Sequence, residues 1–392
     1  MSSVFFNNYH RLPVTFTRGE GAWLYDQNNK KYLDFASGIA VNCLGHNYPP
    51  LVKAIEEQAA KLLHTCNYYM SDTSLAFAEK LVAACSNSGM KKVFLANSGA
   101  EANEGACKLV RKYSLAKYGP GRHQIVTLKG SFHGRTITTL SATGQDNFHK
   151  DFGPFTEGFS YVQPNDIEVL DKALDPDICA GFLMEVIQGE SGIRLLSDEY
   201  IARAVRFCAE RDILLVLDEV QTGVGRTGTF LACEAHGIKP DIVTLAKGLC
   251  GGIPAGAVLA GEKAADVFRI GDHGSTFGGG PLAAAAGLVV LETVNQPDFL
   301  KVIKARGDLF IDIIKSWNHP GIKEIRGRGL MIGIDIDRES WPIIEKGVSA
   351  AASGSGLLLL GGGKQTLRLL PPYIISDEEI KQGLEILKVL LN

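Results

Sequence analysis

A chain of 392 residues, 45% hydrophobic and 21% charged, has an ordinary globular composition and enough length for a large domain with a smaller companion. The formal charge of −3, with no basic stripe and no long run of like charge, argues against nucleic acid or an anionic membrane surface as partner. The opening MSSVFFNNYHRLPVTF lacks a cationic start followed by a long apolar run, and later apolar segments are short or interrupted. Neither a secretory signal nor a membrane span is expected. The eight cysteines are scattered without a CxxC, which speaks against structural zinc and for reduced thiols in the cytosol.

In chain order, AWLYDQNNKKYLDF at 22–35 reads as two short strands around a polar turn. Residues 50–63 and 74–85 read as amphipathic helices. From residue 93 to about 260, the apolar runs VFLA, IVTL, GFLMEVI, ILLVL, DIVTLA and GAVLA alternate with helical stretches. That alternation predicts an α/β fold whose mostly parallel sheet is covered on both faces. PLAAAAGLVVLETVN at 281–295 begins a long helix. GLMIGIDI and TLRLL then read as strands, and SDEEIKQGLEILKVLL as a closing helix, with a capping box of Ser376 and Glu379 and an apolar stripe of Ile380, Leu384, Leu387 and Leu391. The expected division is an N-terminal segment (1–50) joining a small α+β domain (288–392), with a large domain (51–287) between.

Ligands of open α/β sheets bind beyond the carboxyl ends of the strands, so the residues following each run carry the functional reading. After VFLAN, the capping pattern Ser98–Glu101 starts a helix whose free N–H groups suit an anion; a capped helix without ligand is the plainer alternative. KGSFHGRT at 129–136 offers an aromatic face at Phe132 and a carboxylate-binding fork at Arg135, or else a surface loop with a solvated arginine. In EVIQGESG, Glu185 and Glu190 suit acid/base work or pairing with arginine equally well. LDEVQTGVGRTG places Asp218 where a buried strand meets the crevice, and such a carboxylate needs a cation or a donor. The same stretch contains GVGRTG, which fits the dinucleotide pattern GxGxxG. It does not pass directly from strand to helix, and no acidic residue ends a second strand about 20 residues on, so a nicotinamide enzyme is a remote reading.

Lys247 follows DIVTLA, 29 residues after Asp218, at the end of the next expected strand. A desolvated lysine becomes a nucleophile toward carbonyls. A phosphate seat, an aromatic cover, a buried aspartate and an activated lysine make the set that pyridoxal phosphate requires.

With these residues in view, the chain resembles the class III (ω-amino-acid) aminotransferases of the fold type I pyridoxal-phosphate enzymes. The resemblance runs from near residue 9 to the C-terminus. It is carried by RGEGAWLYD, YLDFASGIAVNCLGH, FLANSGAEANEGACKLVRKY, SFHGRT, EVIQGESG, LDEVQTGVGRTG, PDIVTLAKGLCGGIPAGAV, HGSTFGGGPLAAAA and LRLLPP. It implies a large domain with a mostly parallel sheet and a smaller α+β domain. It implies that Lys247 carries the cofactor and shuttles the proton while Asp218 keeps the pyridine nitrogen protonated. Val220 and Phe132 would cover the two ring faces, and Gln221 would bond the phenolic oxygen. Gly99 and Ala100 would hold the phosphate, joined by Thr276 from the other subunit of a homodimer. Arg135 would bind the α-carboxylate of the amino acid and Ser275 would touch substrate. Glu190 would pair with Arg368 in one half-reaction and release it to the oxo acid in the other. The implied substrates are an ω-amine such as N2-acetylornithine, with 2-oxoglutarate as acceptor, in the cytoplasm. Two departures stand out: Val186 replaces a common proline, and three glycines in a row (361–363) precede Arg368.

Overall fold

The computed structural model describes residues 4–392. Strands β1 (Phe16–Glu20), β2 (Trp23–Asp26) and β3 (Lys31–Asp34) form a meander in which β2 is antiparallel to both neighbours. The DQNN turn is tied to itself. The Asp26 carboxylate accepts from the Asn28 and Lys30 N–H groups at 2.8 and 2.9 Å, and Asn29 takes φ 58°. The sequence expectation held for β2 and β3. β1 is largely exposed and charged, FTRGE, and gave no apolar alternation to read. Helices Pro49–Lys61 and Asp72–Ala84 follow within two residues of their expected positions.

The centre of the chain supplies β4 (Met90–Ala96), β5 (Gln124–Leu128), β6 (Phe159–Val162), β7 (Cys179–Met184), β8 (Ile187–Gln188), β9 (Arg194–Leu195), β10 (Leu214–Asp218), β11 (Ile242–Leu245) and β12 (Gly256–Gly261). Seven of them form one sheet in the order β4-β12-β11-β10-β7-β5-β6, while β8 and β9 pair separately. The run β11-β10-β7-β5-β6 is parallel. β12 is antiparallel to both of its neighbours. The cause is the connection from β11, which spans only residues 246–255. A parallel crossover needs a dozen residues or more, so the chain can only turn back. Strands β7, β10, β11 and β12 are buried at every position, which is why they read as unbroken apolar runs.

After helices Pro281–Val294 and Pro297–Ser316 come β13 (Ile322–Arg328), β14 (Met331–Ile336), β15 (Gly356–Leu358), β16 (Leu360–Gly362) and β17 (Thr366–Leu369). An antiparallel sheet orders them β13-β14-β17-β16, and β15 pairs parallel with β3. Thus the N-terminal strands and a strand from far down the chain share one sheet. Gly356 allows the contact, since a Cβ there would stand 2.2 Å from the Tyr32 ring. Helix Asp377–Leu391 starts with the expected capping box. The Ser376 hydroxyl accepts from the Glu379 N–H at 3.2 Å, and the Glu379 carboxylate from the Ser376 N–H at 2.8 Å. Ile380, Leu384, Leu387 and Leu391 are buried.

Candidate active site

Five strand ends of the large sheet converge on one cavity of about 440 Å3. At the end of β4, the Ser98 hydroxyl caps helix Gly99–Tyr118 by accepting from the Glu101 N–H at 3.1 Å. The Glu101 carboxylate turns back to the Asn97 backbone and side-chain amides, both at 2.8 Å. The Gly99 and Ala100 N–H groups open this helix and have no carbonyl of an earlier turn to reach. Gly99 must lack a side chain, because a Cβ would stand 2.8 and 3.0 Å from the two methyls of Val220.

Beyond β5, Phe132 lines the cavity and Arg135 stands exposed at its mouth. The Arg135 guanidinium lies 4.2 Å from the Phe148 ring centroid and 5.4 Å from that of Phe132. Among the described residues it has no ion pair or hydrogen bond. Glu185, at the end of β7, accepts from the Phe132 N–H and the Gly189 N–H, each at 3.0 Å. Burial, and then the nearby Asp218 charge, push its carboxyl up to about 7.

Asp218 ends β10 and is 4% exposed. It accepts from His133 Nδ1 at 2.7 Å, Asn103 Nδ2 at 2.8 Å and the Val220 N–H at 3.0 Å. Because the carboxylate only accepts, Nδ1 carries the ring proton. Asn103 is held in turn, donating also to the His133 carbonyl and accepting from the Thr244 hydroxyl, each at 2.8 Å. Lys247 follows β11 in a left-handed conformation, φ 44°, rare for a residue with a side chain. Burial pulls its ammonium down to about 8, although the Asp218 and Glu185 carboxylates act in the opposite direction.

The structure therefore gathers Gly99, Ala100, Phe132, Arg135, Asp218, Val220, Gln221 and Lys247 around one space. Ser275, Thr276, Glu190 and Arg368 do not line it. Ser275 sits one bond away, its hydroxyl accepting from Asn97 Nδ2 at 3.0 Å, and Thr276 is exposed in a neighbouring groove. Glu190 and Arg368, which the resemblance pairs in one half-reaction and separates in the other, are apart in this structure. Glu190 accepts instead from Gln145 Nε2 at 2.7 Å, and Arg368 donates to the Gly361 and Gly189 carbonyls at 2.7 and 3.0 Å. The glycine run that departs from the family pattern is a hairpin, with Leu360 opposite Arg368. Its Gly362 admits no Cβ, which would stand 2.7 Å from the Gly192 Cα. Val186 is buried directly before β8.

Asn103, Thr244 and the bond from His133 were not foreseen. A buried asparagine within an alanine-rich helical stripe is the signal that could have found the first. GVGRTG forms successive turns rather than a strand-to-helix junction, with Gly225 and Gly228 at φ 86° and 89° against Val294 and Lys304. That is not the geometry of a dinucleotide fingerprint.

Pyridoxal phosphate fits this set. The space is within the usual range for cofactor pockets, and two buried polar atoms of its lining, Gln221 Oε1 and His133 Nε2, have no partner among the described residues. A helix N-terminus, a carboxylate and an amine complete the chemistry of the donor set.

Comparison with known proteins agrees. The family described as "Aminotransferase class-III" matches residues 4–391. Acetylornithine aminotransferase of Caldanaerobacter subterraneus is 47% identical over 98% of this chain and 96% of its own length. The enzyme of the same name from Aquifex aeolicus is 46% identical over 98% and 99%. An ornithine aminotransferase from Toxoplasma gondii, with pyridoxal phosphate at partial occupancy in its active site, superposes with a TM-score of 0.91 at 33% identity, covering 99% of this chain and 92% of that one. The chain belongs to the pyridoxal-phosphate-dependent class III aminotransferases, with their fold type I architecture.

Proposed function

We propose that this aminotransferase moves the δ-amino group of N2-acetylornithine to 2-oxoglutarate by a ping-pong route, yielding N-acetylglutamate semialdehyde and glutamate. The place of this reaction would be arginine biosynthesis in the cytoplasm. The observation that carries the reading is Lys247, strained at φ 44° and lowered to about 8, in one cavity with Asp218 and Arg135. Identity of 46–47% to acetylornithine aminotransferases over nearly the whole chain supports this donor over other ω-amines.

When bound, the cofactor supplies an electrophilic carbonyl and an electron-withdrawing ring. Lys247 Nζ would be its attachment point and the base that holds and moves the proton at the substrate carbon. Its lowered basicity leaves part of the amine uncharged near neutral pH. Asp218, fixed by three donors, offers its carboxylate to the ring nitrogen. Val220 and Phe132 would pack the ring faces, and the Gln221 side-chain amide would donate to the phenolic oxygen. The Gly99 and Ala100 N–H groups would hold the phosphate. Arg135, its guanidinium 4.2 Å from the Phe148 ring centroid and otherwise unpaired among the described residues, would grip the amino acid's carboxylate.

One pocket must serve two unlike substrates. In our reading Glu190 neutralises Arg368 while the amine donor reacts and lets it go for the α-carboxylate of 2-oxoglutarate. The present arrangement, with Glu190 on Gln145 and Arg368 on two carbonyls, suits the released state. We further propose a homodimer in which Thr276 reaches the partner's phosphate site and Ser275 touches substrate. The loop of Thr276 is tied to residues 62–70 by Asn67 Nδ2, which donates to the Ser275 and Gly278 carbonyls at 2.9 and 3.0 Å. Leu63, Tyr68, Tyr69, Met70 and Phe277 expose large apolar surfaces there, which suits burial against a second copy. The seven-stranded sheet, built wholly from residues 90–261, and the pairing of β15 with β3 support the division into 1–50, 51–287 and 288–392, with the first segment joining the third.

The test is the visible spectrum of wild type and Lys247→Ala before and after N2-acetylornithine, ornithine and succinylornithine. Wild type should be yellow and bleach at the lowest concentration with N2-acetylornithine, and the variant should lack the wild-type band. A protein that stays colourless with added pyridoxal phosphate would sink the reading; one that bleaches first with another amine would replace only the donor.

A further inference from the structure

GVGRTG serves neither a dinucleotide nor the cavity, yet it holds the bulkiest fully buried side chain described. Arg226 is 0% exposed and pairs with no carboxylate among the described residues. Its Nη1 donates to the Leu330 carbonyl at 2.9 Å and the Pro371 carbonyl at 2.6 Å. Its guanidinium lies 4.4 Å from the Tyr373 ring centroid, and its Nε and Nη2 have no hydrogen-bond partner among the described residues. Burying a cation without a counter-charge is unfavourable, so stability alone does not account for it. What it holds does.

The two carbonyls mark one end of the β14–β17 ladder. Ile332 pairs with Leu369 and Gly333 with Arg368, so the antiparallel count puts Leu330 and Pro371 opposite each other just past the ladder. Arg226 grips both chains at that end. The grip is returned. The Leu330 N–H donates to the Arg226 carbonyl at 3.0 Å, and the Tyr373 hydroxyl donates to the Val224 carbonyl at 2.9 Å. Gly329 is pressed so close that a Cβ would stand 2.6 Å from the Thr227 backbone. The loop that leaves Asp218 and Gln221 is thereby fastened to the strand that carries Arg368.

We infer that Arg226 is a positioning residue that sets Arg368 at the proper distance from the Asp218–Gln221 loop by closing the β14–β17 ladder onto it. The inference rests on the proposed role of Arg368 as the carboxylate site for the oxo acid. Lysine cannot replace Arg226, because a single ammonium lacks the planar fork that lies on Tyr373.

The experiment uses the full-length holoenzyme as wild type, Arg226→Lys, Tyr373→Phe and Arg368→Lys. Three quantities are read: the calorimetric affinity for glutarate (a dicarboxylate without the oxo group), the rate of each half-reaction, and the thermal midpoint. Arg226→Lys should weaken glutarate and slow the 2-oxoglutarate half-reaction about tenfold while leaving the amine half-reaction within about twofold. Tyr373→Phe, which keeps the ring but loses the hydroxyl, should show the same one-sided defect at about threefold, and it decides the matter if Arg226→Lys fails to fold. Arg368→Lys must itself lose the oxo-acid step selectively. If it does not, the reading of Arg368 is wrong and the inference goes with it. If Arg368→Lys behaves so but the other variants slow both half-reactions equally, or lower only the thermal midpoint, Arg226 is a structural residue and the inference is overturned.

Discussion

Replacing Asn103 by aspartate tests the network beneath the cavity with a change of one atom. In the wild type the Asn103 amide donates across 2.8 Å to Asp218 and across 2.8 Å to the His133 carbonyl. Asn103→Asp puts two carboxyl oxygens at that separation, in a site where Asn103 and Asp218 are 1% and 4% exposed. Two unit charges 2.8 Å apart repel by about 6 kcal/mol even at an effective dielectric near 20. The folded chain avoids this by binding one proton on the carboxyl pair. The unfolded chain does not bind that proton above the ordinary carboxylate range. The folded state of the variant thus holds more protons than its unfolded state, and its stability falls as pH rises. One proton contributes about 1.4 kcal/mol per pH unit, so from pH 5.5 to pH 8 the variant should lose about 3 kcal/mol relative to wild type. Urea denaturation of the cofactor-free proteins at matched pH reads this difference directly. Parallel pH profiles for the two proteins would show that Asn103 does not bond Asp218, and the account of how that carboxylate is held would be wrong.

Gly99→Ala should weaken pyridoxal phosphate binding tenfold or more, since overpacking against Val220 costs about 1–3 kcal/mol at the phosphate seat; equilibrium absorbance titration of the cofactor-free enzyme checks it. Lys247→Met should stabilise the cofactor-free chain. With the amine lowered to about 8, the unfolded state binds more protons between roughly pH 8 and 10.5, so the gain, on the order of 3 kcal/mol at pH 7, should shrink as pH rises through that window. A gain in urea midpoint independent of pH would contradict the burial of that charge. Arg135→Lys should raise the KM for the amine donor about tenfold and leave the thermal midpoint unchanged, because lysine keeps the charge but loses the two-pronged contact and the face against Phe148.

The chemistry was legible where a wholly buried strand ended in a polar residue. VFLAN, LDEVQ and TLAK each break an apolar run abruptly, and the structure puts Gly99, Asp218 and Lys247 around one cavity. Strand direction was less legible. GAVLA looks like its parallel neighbours, and only the ten-residue connection at 246–255 betrayed that β12 runs the other way. β13, IKEIRGR, escaped because its side chains are half-exposed and charged. The donors to Asp218 escaped for a different reason. Asn103 and His133 are 115 and 85 residues away in sequence, and only the folded sheet brings them to one carboxylate. For Glu190 and Arg368, resemblance supplied a pair that closes in one half-reaction and opens in the other, and the structure has Gln145 and two carbonyls as their partners.

The parallel pairing of β3 with β15 has a consequence for synthesis. About 320 residues separate Asp34 from Gly356, so on a ribosome adding roughly 5–20 residues per second the early hairpin waits on the order of a minute or less for its neighbour. During that wait the outer edge of β3 presents unpaired backbone groups beside Tyr32 and Leu33, side chains that the finished fold buries. The nascent chain is therefore most open to strand-to-strand association between copies before residue 356 emerges, and holding that edge apart is a task for the cell rather than for the sequence.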